Sequence, residues 1–284
     1  MVELTDDQAD QFDRDGVLIV DELIDQDSVE RALARYGPLF RGEFETGILP
    51  DEVNWQEGRD SEDLARQICN GWKADRTIAG IVFREDIARA IGRLAGWPGV
   101  RLMIDNIIWK PPGARPLGHH QDNAYLAWLR PQELLTCWIA LDDTTAEGGT
   151  MEVVRGSHKW AHSAPEGEFH GPTEYRKYME IAAAKEGVEP DIIPVVAPRG
   201  GGSFHHGWVW HGSGFNESSA PRRSLIVHAM SSEVEYVPEM LGQGTGPIYS
   251  RYKKFGSTEV DEAYFPILWT RDGRRTEGID AYAA

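Results

Sequence analysis

Two cysteines, Cys69 and Cys137, are all that the 284 residues contain. So few exclude a disulfide scaffold and a cysteine-rich zinc module. Positive charge is scarce too: 29 Lys and Arg stand against 46 Asp and Glu, a formal net charge of −17. A chain this acidic repels a phosphate backbone and an anionic membrane surface, so neither nucleic acid nor membrane is expected as a partner. No apolar run approaches the roughly eighteen residues of a membrane helix. The opening MVELTDDQAD is acidic and lacks the basic-then-apolar pattern of a leader. A cytoplasmic protein, monomeric or homodimeric, is the expectation.

What is present is turn-rich: 30 Gly and 16 Pro favour many short elements over a helical bundle. Residues 4–16 read as a helix, with Thr5 and Gln8 forming a capping box and Gly16 as the stop. Val17 to Val20 is a strand-like run. A second helix is expected from Asp27, with Glu30 as box partner, to Gly37-Pro38, and a third over 83–96. Residues 41–80 are polar and give no element. Beyond residue 100 come β-rich runs at 101–109, 134–141, 150–155, 192–197, 203–211 and 224–230, separated by Gly and Pro clusters. Residues 161–190 interrupt them, with 172–187 helical, either a lid or a surface decoration. The tail from 243 to 284 has no clear period. The expected class is α+β, mainly β, with helices first and an antiparallel barrel or jelly roll after them. The expected organisation is one domain over 1–284: helical support to residue 100, a β core over 101–230 and an extension over 231–284.

Histidines carry the chemistry. Five of the nine fall in two tight clusters. In Gly118-His119-His120-Gln121-Asp122, side chains two apart share a face of an extended chain, so His120 and Asp122 converge while His119 points away. The second cluster runs from His205-His206 to His211-Gly212-Ser213-Gly214, followed by the turn sequence Phe215 to Pro221 and then Arg222-Arg223. A hairpin closing near Asn216-Glu217 would set His211 opposite Arg222, an arginine able to grip a carboxylate beyond a metal ion. Two histidines and one carboxylate with open positions make the facial triad of non-haem Fe(II) oxygenases.

These residues resemble the phytanoyl-CoA dioxygenase family. The likeness runs from Lys110-Pro111-Pro112-Gly113 through His120-Gln121-Asp122 and Tyr125. It continues at Gly148-Gly149, Gly156-Ser157-His158, His211 to Gly214, Asn216, Ser218 and Pro221-Arg222-Arg223, and the opening segment with Phe12 and Asp15-Gly16 fits as well. The resemblance implies a double-stranded β-helix, the cupin-like jelly roll, with flanking N-terminal helices. It implies Fe(II) on His120, Asp122 and His211, with 2-oxoglutarate and O2 as co-substrates. Arg222 would hold the distal carboxylate of 2-oxoglutarate, with Trp138, Ser213 and Asn106 nearby. The implied reaction decarboxylates 2-oxoglutarate to succinate and CO2 while oxidising a C–H group of a small molecule. In relatives that halogenate, a small residue replaces the carboxylate ligand; Asp122 favours hydroxylation, or desaturation or ring closure.

The remaining candidates have plainer readings. His119, His205 and His206 read as hydrogen-bonding neighbours and His158 as part of a structural turn. If Arg222 faces inward, so do Ser224, Ile226, His228 and Met230, while Arg223 faces out. Asn123, Tyr125 and Trp128, on a loop after Asp122, are the expected substrate contacts. Two rival functions remain: a non-catalytic metal-binding jelly roll, and a zinc-type hydrolase with Glu147 or Glu152 as base. No basic cluster suits the phosphates of an acyl-CoA, so a small metabolite or natural product is the expected substrate.

Overall fold

A computed structural model describes all residues from 1 to 284. Helix α1 (Asp6–Asp15) starts at Thr5 with both halves of the capping box formed and ends at Gly16, whose left-handed φ of 72° lets the chain turn into β1 (Val17–Val20). Helix α2 spans Gln26–Phe40 and is capped by Asp25 through Ser28, not by Asp27. It runs through Pro38 because Leu39 and Phe40 are buried at its end, and core packing outweighs the lost backbone bond.

The stretch over 41–80 is not irregular. It holds β2 (Glu52–Val53), β3 (Arg66–Cys69) and α3 (Arg76–Val82), followed by α4 (Glu85–Ala95). The long β4 (Gly99–Lys110) leads to β5 (Leu117–His120), β6 (Leu129–Arg130), β7 (Leu135–Ala140) and β8 (Met151–Val154). Helix α5 covers Lys177–Glu186, within the interval expected to be helical, and β9 (Ile192–Pro194) follows. The run over 203–211 is two strands: β10 (Gly202–His206) and β11 (His211–Ser213). Then come β12 (Arg222–Ser231), β13 (Glu235–Tyr236), α6 (Gly246–Tyr249), β14 (Ile267–Thr270) and α7 (Ile279–Tyr282), so the aperiodic tail has structure of its own.

The strands form a double-stranded β-helix. The larger sheet has the order β1-β10-β7-β12-β4-β3-β2 with β14 also on β4, and the smaller is β5-β11-β8-β9. Alternation along β12 shows why the sequence splits this way. Leu225, Val227 and Ala229 face the helices in a core of 37 buried residues, while Arg222, Ile226 and His228 face the smaller sheet. No helix is long and apolar enough to cross a membrane.

His211 and Arg222 are not hairpin neighbours. Strand β11 pairs with β5 and β8, whereas β12 pairs with β4 and β7 in the opposite sheet. Asn216 turns the crossover between them: its amide donates to the carbonyls of Lys110, Pro111 and Ala220. The two residues meet across the interior of the sandwich.

Candidate active site

Strand register sets the first pair of ligands. His211 lies directly opposite His120 on the adjacent antiparallel strand, so both rings project from one face at the sandwich mouth, with centroids 4.2 Å apart. Asp122 follows β5 on a single 3₁₀ turn, Asp122–Tyr125, which swings its carboxylate under the two rings. Its Oδ1 lies 3.3 Å from His120 Nε2 and 3.5 Å from His211 Nε2. Donor atoms of the three all fall within 4.8 Å of one another. Bonds of about 2.1 Å to a common ion place neighbouring ligands about 3 Å apart, close to these separations.

Backbone carbonyls choose the tautomers. His120 Nδ1 donates to Gly118 O at 2.9 Å and His211 Nδ1 to Val209 O at 3.1 Å, leaving both Nε2 lone pairs aimed at the cluster. Burial first, then the adjacent His120 ring, holds His211 well below the usual imidazole range, in the neutral form that binds metal.

The other carboxylate oxygen is tied down from the larger sheet. Thr136 on β7 donates its hydroxyl to Asp122 Oδ2 at 3.0 Å, and His228, its cross-strand partner on β12, contacts that hydroxyl through Nδ1 at 2.8 Å. Asn106 Nδ2 lies 3.0 Å from His228 Nε2. Only one proton order satisfies the chain: the Asn106 amide donates to His228, His228 to Thr136, and Thr136 to Asp122. Oδ1 is thereby left as the ligating oxygen. His205, 1% exposed, comes within 3.5 Å of Asp122 Oδ2, and neither of its ring nitrogens makes a hydrogen bond.

An inner cavity of about 80 Å³ leads from the cluster to Arg222, Trp138 and Ser213. Arg222 is 4% exposed and has no carboxylate partner: it donates to Gly149 O at 3.1 Å and Ser224 Oγ at 3.2 Å and lies over the Trp138 ring at 5.8 Å. Burial pulls its pKa down to about 10. Lys110, opposite Arg222 on β4, is equally buried and donates to Ser213 Oγ at 2.9 Å and to Gly214 O. Burial, then the Arg222 charge, lowers the Lys110 pKa well below its usual value. A buried guanidinium without an acid partner, with Lys110 behind it, makes this end a receptor for an anion. The orphaned guanidinium beside a ready donor set fits an iron-chelated 2-oxo acid.

A larger outer cavity of about 250 Å³ shares His120, Asp122, Asn106 and His228 with the inner one. Tyr125 lines it. Asn123 and Trp128 line neither cavity, a correction to the expected substrate contacts. Asn123 Oδ1 accepts from Leu134 N at 2.6 Å, and Trp128 packs between Tyr236 and Tyr249 with its indole N–H bonded to Tyr125 O and Thr245. Both are fully buried, holding the loop rather than a ligand. Asn106 joins the cluster through His228.

Of the histidines with plainer readings, His205 stays beside Asp122 without the expected hydrogen bond, whereas His119 and His158 are engaged elsewhere. His119 faces Glu152 at 3.3 Å, and His158 Nε2 lies 3.1 Å from Asp13 O. Arg223 faces outward onto Asp142. Sequence reasoning passed over Thr136, although it shares the inward parity of Trp138 on one strand. It also passed over Gln67 and Phe169, which line both cavities. Phe169 meets the His120 ring edge-on at 4.9 Å, carried by a segment of the 161–190 insertion that bonds β5 through Gly118 N and Phe169 O at 2.9 Å. Nothing in its local sequence signals that docking.

A jelly roll of this kind defines a class, the Fe(II)- and 2-oxoglutarate-dependent non-haem dioxygenases, and the protein is one of them. A profile of the phytanoyl-CoA dioxygenase (PhyH) family matches residues 12–224, and the chain belongs to that family. Human peroxisomal phytanoyl-CoA dioxygenase is 23% identical over 252 residues, covering 82% of this chain and 70% of that protein. A probable alpha-ketoglutarate-dependent hypophosphite dioxygenase of Stutzerimonas stutzeri is 29% identical over 188 residues, 64% of this chain and 63% of that protein. The carbocyclase SnoK from nogalamycin biosynthesis superposes with a TM-score of 0.71 at 21% identity, covering 93% of this chain and 96% of that one. The epimerase SnoN, solved with Fe3+, alpha ketoglutarate and nogalamycin RO, gives 0.68 at 21% identity over 92% and 97%.

Proposed function

We propose that His120, Asp122 and His211 hold the iron, that Arg222 binds the distal carboxylate of 2-oxoglutarate, and that the enzyme hydroxylates a small metabolite or natural product in the outer cavity. The observation that carries this is Arg222, a buried guanidinium with no acid of its own, in the same cavity as the three ligand atoms. Bound iron and 2-oxoglutarate supply the oxidising power, consuming O2 and releasing succinate and CO2 as a C–H group is oxidised. The protein's part is placement. Gly118 O and Val209 O aim the imidazoles, Thr136 leaves one oxygen of Asp122 for the metal, and Lys110 fixes Ser213 beside Arg222. Trp138 lines the inner end and Phe169 covers the His120 ring, so a co-substrate bound there would be shielded from bulk water.

The hydrolase reading loses its base. Glu152 is held by Arg176 at 2.7 Å and by His119, and Glu147 is exposed on a turn. A non-catalytic jelly roll has no use for a buried guanidinium without an acid partner behind the metal. We also propose that 1–284 works as one domain, since β14 of the C-terminal extension pairs with the core strand β4. The test is succinate formation from 2-oxoglutarate by the Fe(II)-loaded protein. Formation that stops without oxygen supports the oxygenase; an oxygen-independent metal-dependent activity refutes it.

A further inference from the structure

The walls of the outer cavity include one glutamate, Glu52, and neither lysine nor arginine. We propose that the substrate presents a protonated amine to Glu52, which stands two strands away from Asn106 at the border of the metal cavity. The inference rests on the oxygenase reading of the His120–Asp122–His211 centre and adds the chemical class of its substrate.

Two neighbouring acids show why Glu52 is available. Asp51 is fully committed: Lys73 reaches it at 2.9 Å, Arg251 at 2.7 Å and the Tyr252 hydroxyl at 2.6 Å. Glu52, the next residue and the first of β2, makes no ion pair. Its one hydrogen bond to an oxygen or nitrogen donor comes from the Tyr249 hydroxyl at 3.0 Å. Burial, foremost, pushes the Tyr249 phenol far above its usual range, so this hydroxyl stays a donor and occupies one carboxylate oxygen. The one further donor beside it is the Cys69 thiol, a weak one, so the carboxylate keeps capacity for a ligand. Asn54, Gln67, Asn106 and Thr245 add only neutral hydrogen-bonding groups to the cavity wall. A carboxylate or phosphate on the substrate meets no compensating cation here and one opposing charge, whereas an ammonium meets a partner with room to accept it.

The sheet supplies the distance. Glu52 pairs with Cys69, and Cys69 with Asn106, in one cross-strand row. Two strand spacings of about 4.8 Å separate Glu52 from Asn106 by roughly 10 Å. Asn106 borders the metal cavity and contacts His228, which is bonded to the Asp122 network. A substrate spanning this row puts nitrogen at one end and the reacting C–H group at the other.

Three probes of equal length separate the possibilities: 4-phenylbutylamine, 4-phenylbutan-1-ol and 4-phenylbutanoate. Each is titrated anaerobically into the protein loaded with Fe(II) and 2-oxoglutarate, reading the shift of the visible charge-transfer band of the chelate, in wild type and in Glu52→Gln. The amine is expected to bind at least about tenfold more tightly than the alcohol or the carboxylate, as a charge-assisted contact provides. In Glu52→Gln, with the chelate band confirming an intact metal site, that preference falls to within about twofold. A carboxylate that binds best, an amine preference unchanged in Glu52→Gln, or no response to any probe overturns the amine subsite and leaves the oxygenase reading standing. Lack of the chelate band before any probe is added overturns both.

Discussion

The two cavities that meet at Asp122 are opposites in charge. Apart from the shared Asp122, the inner one ends on Arg222, a guanidinium with no acid partner, and the outer one carries Glu52 and neither lysine nor arginine. They also differ in construction. The inner end is built from long central strands, β4, β7 and β12, whose paired backbones fix side chains tightly. The outer wall adds to β4 and β12 the short β2 and β3, two and four residues long, and loops over 161–190 and after 243. A rigid interior holds what every turnover needs, and a rim of short elements shapes what one particular substrate needs.

The largest effect that could break this division comes from the atom both cavities share. Asp122→Ala removes the oxygen that both Nε2 atoms approach. Iron affinity, measured calorimetrically, is expected to fall by more than the roughly 10–100-fold that losing an outer partner of a ligand costs, with succinate formation lost. Wild-type turnover in that variant would refute the metal site.

Arg222→Ala acts on the inner end alone. Removing one partner of a buried, charge-assisted contact raises the 2-oxoglutarate concentration for half-saturation by about thirtyfold or more, while iron affinity without 2-oxoglutarate is unchanged. An unaltered requirement would remove Arg222 from its role.

Thr136→Val sharpens the account of Asp122. Iron affinity is expected to drop roughly tenfold, and Thr136→Ser, which keeps the hydroxyl, restores it. Equal loss in both variants would mean that Thr136 matters for packing rather than for orienting the carboxylate.

The smallest effect belongs to a buried acid outside both cavities. Asp105 accepts from Gly71 N and Trp72 N, each at 3.1 Å, and burial raises its pKa from 3.8 to about 7 despite those bonds. The folded state therefore binds this proton more tightly than the unfolded one. Stability from Asp105 is complete below about pH 4 and is lost as pH rises through about 7. Thermal melts between those limits should show Asp105→Asn flattening the decline; parallel curves would contradict the assignment.

Legibility in the sequence followed the same division. His120, Asp122, His211 and Arg222 could be read because ligand chemistry demands particular residue types at short spacings, and the spacing survives whatever the topology. The topology between them could not. The sequence after His211 has every mark of a hairpin turn, yet Asn216 commits its side chain to the carbonyls of Lys110 and Pro111 at the end of β4, a long-range contact no local pattern encodes. Residues 41–80 hid their strands because β3 is covered on both faces and β2 is only two residues long, so neither alternates over a readable length. Glu52 and Gln67 were missed with them. Asn123 and Trp128 went wrong differently: position after a ligand suggested contact, but their polar atoms serve Leu134, Tyr125 and Thr245.

The central claim is that one chain presents an iron site and an anion receptor on the same cavity. Anaerobic titration of the Fe(II)-loaded protein with 2-oxoglutarate tests it without knowledge of the substrate. A saturable visible charge-transfer band, formed in wild type and shifted to much higher 2-oxoglutarate concentration in Arg222→Ala, is the predicted result. Bound iron with no band at any concentration would contradict the account.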